Sequence, residues 1–264
     1  MIATIRLLVL LLSLPAFAHA QGGACPPEMA WLDGFCIDRW EAHLQGQSPY
    51  EVPTTGIAAS AADVVPQGYI SGDVAGGACA QAGKRLCTDT EWLRACRGRL
   101  DHLYPYGDAY VPGACNDTRA VHPVIEVFGQ DATWTGEQMN DPRLNQLPDS
   151  LDAGGANAQC VTPEGVYDLH GNLNEWTSDV AGTFRGGFYV EASINGPGCS
   201  YRTTAHNLLH HDFSTGFRCC MDALEARQYV PTGGVLGWSL LVTVLAATGV
   251  LAWRWQSGLR APHS

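Results

Sequence analysis

Between Gly165 and Asp179 the chain reads GVYDLHGNLNEWTSD. Asp168, Gly171, Asn172, Asn174 and Glu175 are packed between two large aromatics, Tyr167 and Trp176. Two arrangements account for such a stretch. One is a polar turn pinned by Trp176. The other is a loop wrapped around a hard cation, which takes six to eight oxygens from carboxylates and backbone carbonyls.

The flanks narrow the setting. Arg6, an apolar run from Leu7 to Phe17 and the exit Ala18-His19-Ala20 describe a secretory signal, residues 1–20, cleaved after Ala20. A second apolar stretch, Gly233–Trp253, holds no charged residue. As a helix it reaches about 31 Å, enough to cross the hydrocarbon core. Trp238 and Trp253 suit the interfaces, and Arg254 and Arg260 predict a cytoplasmic tail at 254–264. The expected organisation is a signal peptide, one exported domain at 21–230, a short bridge at 231–232 and a single membrane span. The domain would face the periplasmic or extracellular side.

That domain is strongly acidic. It carries all 26 Asp and Glu against 12 of the 15 Lys and Arg, the other three being Arg6, Arg254 and Arg260. The balance argues against nucleic acid and against docking on anionic lipid. All 10 cysteines also fall within it, with no CxxC pair. An even count behind a secretory signal reads as disulfides formed in an oxidising compartment. The short loop between Cys25 and Cys36 points to one local bridge.

Few stretches keep a helical or strand period for long, so the domain is expected to be α+β and loop-rich. The clearest helix lies in LCTDTEWLRACRG (Leu86–Gly98), with Thr88 and Glu91 as a capping box and Gly98 as the stop. A shorter helix is expected over Val74–Ala82, and short strands over Phe35–Asp38 and Phe184–Val190.

Several blocks occur in a fixed order: CAQAGKRLCTDTEWLRACRG (Cys79–Gly98), YPYGD (Tyr104–Asp108), GVYDLHGNLNEWTSD, FRGGFY (Phe184–Tyr189) and TGFRCC (Thr215–Cys220). Together they resemble the formylglycine-generating enzyme, or sulfatase-modifying factor, and its wider family. The opening CPPEMAWLDGFCIDRWE (Cys25–Glu41) resembles the start of many bacterial members. The resemblance implies an irregular domain related to the C-type lectin fold. It also implies an activity: active members oxidise a sulfatase cysteine to formylglycine, using oxygen and a copper ion held by two thiolates. Soft thiolates select Cu(I).

The sequence departs from the family at that point. From Gly186 to Arg218 there is one cysteine, Cys199, and its C-x-x-R context with Arg202 matches a structural cysteine of the family. A two-thiolate copper site therefore cannot form. The resemblance pairs Cys96 with Cys199 and Cys79 with Cys219. Cys115–Cys160 and Cys87–Cys220 follow by remainder.

The same resemblance makes the opening stretch a structural calcium loop, with Asp168, the carbonyls of Gly171 and Leu173, and Glu175 as ligands. A second calcium loop would begin at Asn116. Where the family builds its substrate groove stand Arg202, His206 and Asn207, and Glu191 lies near the place of a lost thiol. His206, His210 and His211 in AHNLLHH raise a metal reading, against a loop or cleft wall. Three functions stand: an anchored, disulfide-stapled module binding an unidentified peptide, protein or glycan; an oxidoreductase-like enzyme working with a different metal or active site; or a structural cell-envelope protein with no small ligand.

Overall fold

Helix α1 (Gly72–Gln81) and helix α2 (Asp89–Arg97) form where side chains supply the missing partners of the first turn. The computed structural model describes residues 25–223. The expected signal peptide, the apolar stretch Gly233–Trp253 and the tail lie outside the described residues, and no helix among those described is long and apolar enough to cross a membrane.

Thr88 Oγ1 accepts from the amide of Glu91 at 3.2 Å, while Glu91 Oε2 accepts from the amide of Thr88 at 2.9 Å. The capping box read in the sequence is thus formed in both directions. Gly98 ends the helix with φ +62°, and α2 turns Trp92, Ala95 and Cys96 inward. Helix α1 starts two residues before its expected place because Ser71 caps the amide of Val74. Two short helices, α3 (Pro123–Phe128) and α4 (Gly136–Met139), lie in a stretch that carries no sustained helical period.

Among the described residues there are also ten short strands: β1 (Met29–Leu32), β2 (Phe35–Asp38), β3 (Ala42–Leu44), β4 (Ala58–Ser60), β5 (Arg85–Leu86), β6 (Asn174–Trp176), β7 (Phe184–Arg185), β8 (Arg202–Thr203), β9 (Thr215–Phe217) and β10 (Cys219–Asp222). They form a four-stranded sheet in the order β1-β2-β10-β5, the pair β3-β4, and a four-stranded sheet in the order β8-β7-β6-β9. Asp33 and Gly34, both at positive φ, turn β1 back onto β2. In the last sheet β6 runs parallel to β9, placing Glu175 beside Gly216, and antiparallel to β7, placing Glu175 opposite Arg185.

The strand expected over Phe184–Val190 stops at Arg185. Gly186 and Gly187 have φ of +90° and +75° and bend the chain out of the sheet. A Cβ on Gly187 would stand 2.4 Å from Cα of Ala192, so the bend requires glycine. The turn that follows carries Glu191.

Five disulfides join Cys25–Cys36, Cys79–Cys219, Cys87–Cys220, Cys96–Cys199 and Cys115–Cys160. No cysteine is free. Each pair named from the sequence is brought together. Cys79–Cys219 ties α1 to β10, and Cys96–Cys199 ties α2 to the turn at Gly198–Ser200. Each such link stabilises by about 2–4 kcal/mol, chiefly by restricting the unfolded chain. A domain with strands this short needs that help.

Candidate functional site

The loop from Asp168 to Glu175 runs into the core. Asp168 and Asn172 both adopt φ +59°, and Gly171 adopts φ +79°. A Cβ on Gly171 would meet the carbonyl oxygen of Asn116 at 2.0 Å, so this glycine is sterically required. Asn116 therefore packs directly on the loop: its carbonyl accepts from the amide of Asn172 at 2.7 Å. Its side-chain amide donates to Ser150 O at 2.7 Å and Asn172 Oδ1 at 3.0 Å. The residue read as the start of a second calcium loop braces the Asp168–Glu175 loop instead.

Glu175 is fully buried on β6. Arg218 donates to it twice, Nε to Oε2 and Nη2 to Oε1, each at 2.6 Å, and Trp92 Nε1 donates to Oε2 at 2.8 Å. Arg218 also donates to the carbonyls of Asp38 at 3.1 Å and Tyr167 at 2.9 Å. Such a fork-to-fork pair is the favourable geometry for a buried guanidinium and carboxylate. Two more buried carboxylates stand close by. Glu41 accepts from the amide of Leu173 at 3.1 Å and from the side-chain amide of Asn172. Asp168 Oδ2 accepts from the amide of Gly155 at 2.7 Å.

Burial pushes the Asp168 carboxyl up to about 7, with the charges of Glu175 and Asp152 adding to the effect against the opposing pull of Gly155 and Arg218. Burial likewise holds Glu41 well above the usual carboxylate range, helped by Glu175 and Asp168. Near this loop, then, Glu41, Asp168 and Glu175 face one guanidinium, Arg218. Carboxyl groups outnumber the guanidinium three to one.

His170, in the middle of the same loop, opens onto a cavity of about 460 Å³. Its walls come from four separate segments: Tyr104 from the YPYGD turn with Tyr110 just after it, Asp117 and Arg119 beyond Cys115, His170, and Glu191 to Ser193 after the glycine bend. His170 Nε2 lies 3.1 Å from Asp117 Oδ2, both residues buried. The Tyr104 and His170 rings meet nearly at right angles, 5.3 Å between centroids. Glu191 Oε1 accepts from the amide of Ser193 at 2.6 Å, its hydroxyl at 2.7 Å and the amide of Ile194 at 2.9 Å. Burial raises the Glu191 carboxyl, but these hydrogen bonds outweigh it and leave it below its ordinary value.

The four residues expected to share a groove are divided. Glu191 lines the cavity, whereas Arg202, His206 and Asn207 do not. Arg202, on β8, reaches Asp179 at 3.6 Å and donates to the Thr183 hydroxyl at 3.3 Å. His206 is stacked between Phe184, at 5.9 Å, and His210, at 3.7 Å. Asn207 turns the chain, its side chain accepting from the amide of Leu209 at 3.0 Å. The histidine segment is a loop rather than a helix. Its two imidazoles lie nearly parallel, so their in-plane lone pairs do not converge, and His210 Nε2 is taken up by Asp212 at 3.0 Å. Among the described residues no group of three or more His, Cys, Asp or Glu is placed to hold a metal ion. Asp117, His170, Tyr104 and Tyr110 were not singled out from the sequence, although His170 and Tyr104 stand inside two of the ordered blocks. Nothing in the spacing links Asp117 to His170 across 53 residues.

Comparison with known proteins places these features. Residues 18–223 match the family described as the sulfatase-modifying factor enzyme 1-like domain. An inactive C-alpha-formylglycine-generating enzyme 2 from Mus musculus is 28% identical over 178 residues, covering 62% of this chain and 51% of the relative. A formylglycine-generating enzyme from Thermomonospora curvata is 30% identical over 176 residues, covering 54% and 51%. The chain thus spans about half the length of the curated relatives it matches. The solved structure of PvdO from Pseudomonas aeruginosa superposes with a TM-score of 0.46 at 15% identity, over 71% of this chain and 80% of that one. The ordered blocks, the bridged cysteines and the match over 18–223 agree: the chain belongs to the sulfatase-modifying factor enzyme 1-like family.

Proposed function

We propose that this chain is an exported, membrane-anchored binding module on a formylglycine-generating-enzyme-like scaffold, without copper-dependent oxidation of cysteine. The state of the cysteines carries this reading. A two-thiolate copper site needs two reduced thiols side by side. Cys199, the one cysteine between Gly186 and Arg218, is buried in a bridge to Cys96, and the other eight are also paired. The mouse relative is itself named as inactive. Export and anchoring rest on the apolar segments at Leu7–Phe17 and Gly233–Trp253.

Calcium belongs to the same proposal. The donor set at the loop is hard oxygen only, and Glu41, Asp168 and Glu175 outnumber the single guanidinium of Arg218. Asp168, Glu175 and the carbonyls of Gly171 and Leu173 would hold the ion, with Glu175 shared between it and Arg218. The ion would supply charge neutralisation and stiffness, not chemistry.

The test is metal and thiol content of the purified full-length chain. The expected result is no titratable thiol without reductant, no stoichiometric copper and no turnover of a cysteine peptide. Saturable Cu(I) binding with oxidation of such a peptide would overturn the reading. A second reading, acid–base catalysis, is favoured by one observation: the Asp117–His170 pair shares its cavity with Glu191. Turnover abolished by Glu191→Gln, in a preparation free of copper, would establish it instead.

A further inference from the structure

The histidine loop Ala205–His211 lies outside the cavity beside His170, yet the fold makes room for it at two places. A Cβ on Gly182 would stand 2.1 Å from the carbonyl oxygen of His206, and one on Gly72, in the first turn of α1, 2.6 Å from Leu208 Cδ2. The amide of Asp73, an otherwise orphan donor of that first turn, donates to the carbonyl of Leu208 at 3.1 Å. Leu208 packs on the core that holds Ile70, Trp176 and Phe184.

Rings hold the rest of the loop. His206 stacks on Phe184 at 5.9 Å with 9° between planes, and on His210 at 3.7 Å with 13°. His210 Nε2 meets Asp212 Oδ2 at 3.0 Å, while Asp212 Oδ1 accepts from the amide and hydroxyl of Ser214. A positive charge on His210 is therefore answered. Among the described residues no carboxylate is paired with the His206 ring. Other charge nearby is engaged elsewhere or absent. His211 Nδ1 lies 2.8 Å from Asn140 Oδ1. Strands β7 and β6 present Phe184 and Trp176, which carry none. Asp179, before Gly182, is taken up by the Ala181 amide, the Thr183 hydroxyl and Arg202 of β8. Asp73 stands in the first turn of α1.

The geometry points to an acid-sensitive latch: a second proton on the stacked His206–His210 pair parts the rings, lifts Ala205–His211 off the start of α1 and bares Leu208, Trp176 and Phe184. Burial first, and then the charge of His210, hold the His206 ring below its ordinary 6.5, against the pull of Asp212. Burial raises the Asp212 carboxyl, but the hydrogen bonds from His210 and Ser214 outweigh it and leave it below its ordinary value. A freed His206 ring takes its proton at 6.5 and the docked ring only below that, so the closed loop loses stability as pH falls beneath 6.5. Neither the resemblance nor the family match assigns such a device. It goes beyond the binding reading, and the failure of either leaves the other standing.

Hydrogen exchange at the Asp73 amide, corrected for the intrinsic rate, reads the latch because Leu208 O is its partner. In the full chain in a nonionic detergent, Asp73 protection should fall about threefold to fivefold from pH 7.5 to pH 5, the scale of a charge pair open to water. The Trp92 amide, bonded to Thr88 O within α2, should show no fall. His206→Phe keeps a ring on Phe184 without the charge, so Asp73 protection should stay level. His210→Gln still offers a donor to Asp212 and removes the facing charge, so the fall should lessen and the His206 ring, followed by NMR, should titrate closer to 6.5. Unchanged Asp73 protection in the native chain, an equal fall in His206→Phe, a parallel fall at Trp92, or a native His206 ring titrating at or above 6.5 would each overturn the latch.

Discussion

Replacing Asp168 by Asn should stabilise the calcium-free protein at pH 8 and remove its response to calcium. In the folded chain the Asp168 carboxyl is pushed from 3.8 up to about 7, chiefly by burial. Folding therefore takes up a proton between those two values. Because the native state binds the extra proton, stability falls as pH rises from about 4 to about 7. At about 1.4 kcal/mol per pH unit the interval amounts to an electrostatic penalty on the order of 4 kcal/mol above pH 7. Asn keeps an oxygen for the amide of Gly155, now accepting at 2.7 Å. Its NH₂ group arrives without an assured partner, which takes back about 1 kcal/mol or more. The net gain at pH 8 in chelator is then about 2–3 kcal/mol, or roughly 5–10 °C in melting temperature for a domain of this size. At pH 4 the gain should vanish. With calcium at a hundredfold excess over its Kd the native chain should rise by about 2.7 kcal/mol and the variant hardly at all, so the order closes or reverses. Near-UV circular dichroism of the intact, unreduced chain at pH 4, 6 and 8, with EDTA and with calcium, reads every arm. A variant less stable than the native chain in EDTA at pH 8 would refute the charge penalty. A native melting temperature indifferent to calcium would refute the ion.

Three further outcomes follow from named contacts. Arg218→Met strands the Glu175 carboxylate in the core and should cost about 3–5 kcal/mol, whereas the double change Arg218→Met with Glu175→Leu should recover part of it; chemical denaturation of the three proteins measures the difference. Removing the Cys96–Cys199 bridge by a double Ala substitution leaves Cys87–Cys220 still closing the segment from outside, so it should cost about 3–4 kcal/mol on the chain-entropy estimate, read from the shift in denaturation midpoint. Gly171→Ala should prevent the loop from closing on Asn116, since its new methyl would meet a carbonyl oxygen at 2.0 Å; loss of amide protection at Asn172, whose N–H bonds that carbonyl, is the measurement.

The features legible in the order of residues are local or covalent in character. Thr88 and Glu91 cap α2 because both partners sit three residues apart, and Gly98 stops it because only its neighbours matter there. The five ordered blocks name the family, since each is a contiguous signature. The cysteine pairs could be named because the resemblance supplied two and the short Cys25–Cys36 loop a third. Where the chain bends at Gly186 and Gly187, the pattern read as strand was misleading: positive φ at both glycines, needed to clear Ala192, ended β7 after two residues.

Tertiary structure alone decided the rest, because it concerns groups far apart in the chain. Whether Glu175 faces a cation, a guanidinium or both depends on Arg218 lying beside it through the parallel pairing of β6 with β9. Whether Glu191 shares a groove with Arg202 and His206 depends on which way the glycine bend throws the turn, and it throws Glu191 toward His170 and Asp117 instead. The cavity is assembled from four segments that no periodicity connects. Distances across those segments exist only in the folded chain: the Asp117–His170 pair closes at 3.1 Å, and Glu191 joins it in the same wall.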